Sequence, residues 1–187
     1  LLRLSVGGTT ELTGLWALGN LFGFAHAARV LGQGGDPHRV AGLGGVVGIG
    51  GFLSVLFAAP LGAALLLYAG ATLIGLGAGL FMVGTLTAAM ALARDGRSGI
   101  ALGAWGAVQA TAAGLAIAIG GVARDLIGAV AVAGDLGTTL ATRATGYGAV
   151  FGAEILLLFA MLVALGPLAG TEEEPSAGRF GLSQFPT

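Results

Sequence analysis

Apolar residues in this chain do not alternate with polar ones; they come in long runs divided by short polar or Gly/Pro breaks. A helix crosses the hydrocarbon core of a bilayer with about 20 mostly apolar residues, and the stretches at about 9–31, 39–59, 63–93, 100–122 and 147–168 meet that length. The pattern predicts an all-α fold, a polytopic transmembrane helix bundle of about five spans occupying residues 1–168. The fourth run can be followed as far as Ala131. The second run stops before Pro60 and the fifth near Pro167, since proline lacks the backbone donor a helix interior needs. GQGGDPH at 32–38 and Pro60-Leu61-Gly62 read as Gly/Pro turns, and RDGRSG at 94–99 as a polar turn. The stretch 133–145 is longer and polar enough to lie outside the bilayer. From residue 169 the composition changes abruptly to AGTEEEPSAGRF, which reads as a mobile tail over 169–187.

Composition makes lipid the solvent. Charged residues are 9% of the chain and apolar residues 56%, whereas soluble domains carry about 25% charge. Mean hydropathy is +0.94. A net charge of -1 supplies no basic field, so nucleic acid is not an expected partner; membrane lipid is. Cysteine is absent, which removes disulfides, thiolate metal sites and a cysteine nucleophile. Every basic side chain other than histidine is arginine, which removes Schiff-base chemistry and a phosphate-loop lysine. The chain opens on Leu1 with neither an initiator Met nor a basic stretch ahead of the first apolar run, and so reads as a segment whose upstream part is missing rather than one led by a signal peptide.

Glycine numbers 37, well above the usual share of about 7%, and suits helices that pack closely in lipid. Gly19 and Gly23, Gly44 and Gly48, Gly75 and Gly79, and Gly148 and Gly152 each share a helix face and let backbones approach, either within the bundle or against a partner subunit. Five spans put the two ends on opposite sides. The side of the 32–38 turn has Arg29, Arg39, Arg94, Arg97 and Arg179, against Arg3, Arg124 and Arg143 on the other. The excess of arginine marks the first side, and with it the C-terminus, as cytoplasmic.

Polar groups inside an apolar span are costly, so function is sought there. Glu154 lies about two turns, roughly 10 Å, into the fifth run. It reads either as a neutral or Arg-paired carboxyl facing the bundle or as a proton or substrate site. Gln109, in GAWGAVQATAAG, can bridge helices or meet a ligand carbonyl. His26 is one turn from Arg29; its imidazole can ligate the magnesium of a chlorin or hydrogen-bond a neighbouring helix. Asn20 is a candidate hydrogen-bonding group within the bundle, and His38 a solvated turn residue. Arg124 and Asp125 are adjacent and read as an interfacial anchor or an interhelical salt bridge. Trp16 and Trp105 fit an interfacial belt, with stacking on a flat pigment as the alternative. The sequence has no HExxH, GxSxG or phosphate-loop motif, so no enzyme activity is expected.

The stretch GNLFGFAHAARVLGQGGDPHRVAGLG (19–44) resembles the helix–turn–helix between spans eight and nine of a major facilitator protein. Gly23, Arg29, Gly32 and Arg39 take the places of that cytoplasmic turn motif, while Ala28 stands where the motif has an acid. GLGAGLFMVGTLTAAMALARDGRSGIALGAWGAVQATAAGLAIAIGGVARD (75–125) and ATGYGAVFGAEILLLFAML (144–162) are similar to the PucC/LhaA family, the bacteriochlorophyll-delivery branch of the major facilitator superfamily. The resemblance covers nearly the whole chain up to the tail, and GAWGAVQATAAG together with GG-x-x-RD is its most particular part. It implies that the five spans are helices eight to twelve of a twelve-helix fold, its C-terminal half, in the bacterial inner (intracytoplasmic) membrane.

The resemblance also implies a role in assembling light-harvesting complexes of phototrophic bacteria. Bacteriochlorophyll would be the cofactor or cargo, and antenna polypeptides or the reaction-centre complex the partners. His26, Gln109 and Trp105 are the candidate pigment contacts, and Glu154 and Asn20 the intramembrane polar groups. Two other functions fit the residues. One is a proton-coupled secondary transporter resting on Glu154; the other is a purely structural subunit packing by its glycine faces.

Overall fold

The computed structural model describes residues 6–93, 98–134, 137, 141–142 and 144–169. The described residues form five α-helices: α1 (Val6–Gly32), α2 (Pro37–Ala58), α3 (Ala64–Ala91), α4 (Ser98–Ala133) and α5 (Ala144–Leu165), the last closed by a 3₁₀ turn, Gly166–Leu168. No strand occurs among the described residues. The expectations resting on Arg3, Arg94, Arg97, Arg143, Arg179 and the tail beyond Ala169 lie outside the described residues.

Local chemistry sets the breaks. The α1 helix ends because Gly34 turns left-handed at φ +85. The Gly35 N–H then reaches back to the Val30 carbonyl and the Gly34 N–H to that of Leu31, both at 3.0 Å, the paired bonds of a Schellman cap. Asp36 starts α2 by accepting a 2.8 Å hydrogen bond from the His38 N–H, and Pro37 occupies the first helical position, where no donor is needed. The same cap recurs after α2, with Gly62 at φ +61, Ala63 N–H on the Ala58 carbonyl and Gly62 N–H on that of Ala59. The α4 helix runs on past 122, where the expected span closed, to Ala133. Its Arg124 and Asp125 neutralise each other on the helix surface, so the charges do not end it.

Successive helices alternate in direction. The α2 helix packs antiparallel on α3, with Gly44 against Gly77 and Phe81, and Gly51 against Gly70 and Ile74. The α5 helix packs antiparallel on the other side of α2, through Phe52 and Phe151 (ring centroids 6.1 Å apart) and Leu158 against Gly48. The α1 helix lies parallel to α3. A Cβ on Gly19 would run into the Thr72 carbonyl, and one on Gly75 into the Trp16 carbonyl. Three of the four glycine pairs thus sit at close crossings. The fourth does not: Gly152 has no atom near its missing side chain and Gly148 only the end of Leu56, whereas Gly146 packs directly on the Arg124 carbonyl.

Among the described residues four helices are long and apolar enough to cross a membrane: α2, α3, α4 and α5 with its terminal turn. The α1 helix has the length, 27 residues, but carries Glu11, Asn20, His26 and Arg29. It nevertheless accompanies α3 from the Tyr68–Glu11 hydrogen bond to the packing of Ala27 with Leu80, a separation of about 24 Å along α1, and so shares α3's depth. The closed core is small, Ala27, Val40 and Leu80 with Val30, Leu31, Val47, Leu76 and Val83 around them. Large apolar side chains face outward, among them Leu65 (79% exposed) and Ile117 and Val163 (both 77%). That is the distribution of a bundle whose outside is lipid. Three hydroxyls within the spans bond their own helix: Ser54 donates to the Gly50 carbonyl, Thr72 to that of Tyr68 and Thr87 to that of Val83.

Candidate functional site

The α1–α2 turn holds a cavity of about 450 Å³ lined by His26 and Val30 of α1, by Gly34, Gly35 and Asp36, and by Arg39, Val40 and Leu43 of α2. Each wall has a local cause. Gly23 and Ala27 face α3, and His26, about 100° round the helix from Ala27, lies to the side of that contact and outside the buried set. The Schellman cap folds the chain back at Gly34, and the Asp36 cap aims the first turn of α2 so that Arg39, Val40 and Leu43 complete the cavity. Asp36 is its electrostatic centre. One carboxylate oxygen lies 3.4 Å from His38 Nδ1 and the other 3.6 Å from Arg39 Nε. That second oxygen is buried and has no hydrogen-bond partner among the described residues. The Arg39 side chain is 72% exposed, which leaves guanidinium N–H groups available to a ligand.

This geometry revises the turn motif. Arg39 finds its acid at Asp36, inside the turn, and not at the Ala28 position of α1. Arg29 is exposed and forms no ion pair among the described residues. Gly23 is required by packing, since a Cβ there would run into the Leu76 carbonyl. Gly32 has open space around it and an ordinary backbone; the glycine that the turn requires is Gly34. An acid followed by proline at the start of an apolar run is a readable helix-start signal, and Asp36-Pro37 was the part of this site that sequence reasoning passed over.

The three candidate pigment contacts do not converge. Neither Trp105 nor Gln109 lines the His26 cavity. Trp105 donates its indole N–H to Thr85 Oγ1 of α3 at 3.2 Å, the bond that fastens α4 to α3. Gln109 is one turn further along α4, half-exposed, where α4 leaves the bundle: Gly103, Gly106 and Gly114 have no atom within 4 Å of their missing side chains. Asn20 is half-buried at the α1–α3 crossing, where its backbone carbonyl packs on Gly79 and its side chain forms no hydrogen bond among the described residues. Glu154 is half-buried on α5 and has no hydrogen bond or ion pair among the described residues. Gly120 of α4 faces Val150; one turn further along each helix come Ala116 and Glu154, so α4 offers the carboxylate no polar group at that level.

At the other end of the bundle Arg124 is bound to Asp125 (Nη2–Oδ1 2.7 Å, Nε–Oδ1 2.9 Å), on its own helix, and lies 5.3 Å from the ring centroid of Tyr147. The charges therefore make a pair within α4, and the contact between helices is cation–π. Among the described residues no cluster of three or more His, Asp or Glu side chains is placed to hold a metal ion.

The description "PUCC protein" fits residues 1–173 of the chain. A Rhodobacter capsulatus protein named for the puhA-bchM intergenic region is 52% identical over 192 residues, which takes in 100% of this chain and 40% of the relative. Protein PucC of Cereibacter sphaeroides is 44% identical, over 89% of this chain and 35% of its own length. The "Bacteriochlorophyll synthase 44.5 kDa chain" of R. capsulatus is 36% identical, over 88% of this chain and 37% of its own. The chain thus spans two-fifths or less of these relatives, and no solved structure matches it. Residue identities over nearly the full length, carried on a bundle of apolar helices, place this chain in the PucC family.

Proposed function

We propose that this protein is a membrane factor for the assembly of photosynthetic complexes, handling or delivering bacteriochlorophyll without catalysing a reaction on it. The observation that carries the reading is membership of the PucC family over residues 1–173. The name of one relative, the bacteriochlorophyll synthase chain, points to the same pigment. The partners would be antenna polypeptides or the reaction-centre complex, and the site of action the intracytoplasmic membrane, with the C-terminus on the cytoplasmic side.

The His26 cavity suits such a ligand. A bacteriochlorophyll would offer a magnesium that accepts a nitrogen ligand and ring carbonyls that accept hydrogen bonds. His26 is outside the buried core and makes no hydrogen bond among the described residues, so its imidazole is available to the metal. Arg39 has N–H groups for a carbonyl, and Val30, Val40 and Leu43 give apolar contact. Many ligand sites have this make-up, a mostly apolar cavity with a few placed polar groups. Trp105 and Gln109 stand apart from that cavity and would meet a pigment only along α4. The test is purification of the intact protein from phototroph membranes, with its absorption recorded and its associated polypeptides identified. Bound bacteriochlorophyll together with antenna or reaction-centre subunits is expected; a colourless protein without them would refute the reading.

A second reading, proton-coupled transport, draws on Glu154, a half-buried carboxylate in a membrane helix without a partner among the described residues. If a Glu154→Gln variant supports complex assembly as well as the parent, that reading fails.

A further inference from the structure

The end of the bundle remote from His26 carries a larger cavity, about 550 Å³, lined by Arg124, Asp125, Gly128, Ala129 and Val132 of α4 and Tyr147 of α5. Its depth in the membrane follows from packing. Gly146 in the first turn of α5 crosses α4 at Arg124 and Gly128, and Gly148 faces Leu56, just before α2 ends at Ala58. The cavity therefore lies where the spans end, and the last turns of α4 project past the start of α5 as one wall. Arginine and tyrosine are the residues that settle at that level, with charged or hydroxyl tips at the headgroups.

The charges are arranged as a dipole. Arg124 holds one oxygen of Asp125, Oδ1, through a hydrogen bond from Nε and an ion-pair contact from Nη2. The second carboxylate oxygen takes no part in that pair, and the Asp125 side chain is 70% exposed. The guanidinium has five N–H donors, so several remain after these contacts, while the Tyr147 ring beside it restricts its movement. The site as a whole is neutral. It offers a cationic edge and an anionic oxygen side by side, in a recess whose floor is small and apolar.

We propose that this cavity is a headgroup site for a zwitterionic phospholipid with a primary ammonium, a phosphatidylethanolamine. The phosphate diester accepts from the free N–H groups of Arg124. The ammonium, two carbons away, donates to the free oxygen of Asp125. The selectivity follows from the same pairing. A phosphatidylglycerol places its phosphate beside the Asp125 carboxylate with no cation to offset it. A phosphatidylcholine brings a cation that has no N–H to donate.

The test presents the full chain in detergent with an equimolar mixture of phosphatidylethanolamine, phosphatidylcholine and phosphatidylglycerol, and reads the retained lipid by native mass spectrometry. One charge-assisted hydrogen bond gained over either competitor gives retention of phosphatidylethanolamine about tenfold above each. Asp125→Asn removes that preference and raises phosphatidylglycerol; Arg124→Gln lowers retention of all three. The mixture experiment needs no variant, so a misfolded variant cannot mask the answer. Equal retention of the three lipids, a preference for phosphatidylglycerol in the parent protein, or an Asp125→Asn variant with unaltered selectivity would overturn the proposal. So would displacement of the lipid by water-soluble phosphoethanolamine alone, which would assign the site to a soluble ligand.

Discussion

Gly23 of α1 and Gly79 of α3 meet backbone to backbone: a Cβ on either would stand 3.0 Å from the Cα of the other. Below about 3.4 Å two carbons repel, and here neither can yield without moving a whole helix. In lipid, where apolar side chains gain little by leaving their solvent, such close approach is what holds helices together.

Substituting Gly79 with Val or Leu is accordingly expected to pry α1 from α3, at a cost of the order of 1–3 kcal/mol. Gly14, with no atom within 4 Å of its missing side chain, is the control: Gly14→Ala leaves stability unchanged or raises it by up to about 1 kcal/mol through helix propensity. Thermal unfolding of both variants in the same detergent, followed by circular dichroism, checks the pair. Equal melting temperatures would contradict the role given to this crossing.

The α1–α2 turn separates two glycines that look alike in sequence. Gly34 has φ +85, a conformation that costs an L-residue about 1–2 kcal/mol, whereas Gly32 is helical and unobstructed. Gly34→Val should destabilise the protein by roughly that amount, and Gly34→Asn by less, since asparagine tolerates the left-handed region. Gly32→Ala should be neutral or mildly stabilising. Denaturation midpoints of the three variants test the ordering.

Thr85 links α3 to α4 through the Trp105 indole. Thr85→Val keeps the shape and removes the acceptor, for a loss of about 1 kcal/mol. Because the chain has two tryptophans, the reading is cleanest with Trp16 replaced by Phe. The remaining Trp105 emission should then shift when Thr85 is changed, and an unshifted spectrum would show that the bond does not persist in the membrane.

How much of this was legible beforehand depended on whether one helix or two decided the matter. The apolar runs, the Pro60 break and the glycine pairs at 19/23, 44/48 and 75/79 are properties of single segments, and the periodic pattern shows them. The reach of α4 to Ala133 was half-hidden, because a residue-by-residue tally counts Arg124 and Asp125 as two charges where the helix surface holds one neutral pair. The α1 helix looked like the other spans by length, though among the described residues four helices and not five have the full apolarity, α1 being carried at depth by α3. The site was legible only in part. Grouping His26 with Trp105 and Gln109 required knowing which sides of α3 they occupy, and no spacing within one helix encodes that. Asp36 as the partner of Arg39 lay three residues away in plain view.

His26 offers the most direct test of pigment binding. If its imidazole would hold the pigment's magnesium, His26→Leu keeps an apolar side chain at the cavity mouth but offers the metal no lone pair. Loss of one such ligand is expected to lower retained bacteriochlorophyll about tenfold or more at a given pigment concentration. A His26→Gln variant retains more than His26→Leu, because its carbonyl oxygen can still donate a lone pair to magnesium, a metal that accepts oxygen ligands readily. His26 lies outside the buried core and forms no hydrogen bond among the described residues, so helix content and melting temperature should stay at parental values in both variants. Reconstituting the intact protein and the two variants with pigment and measuring the absorption that co-elutes with each separates ligation from packing. Equal pigment in all three would exclude His26 as the ligand while leaving the family's part in assembly to be judged on its partners.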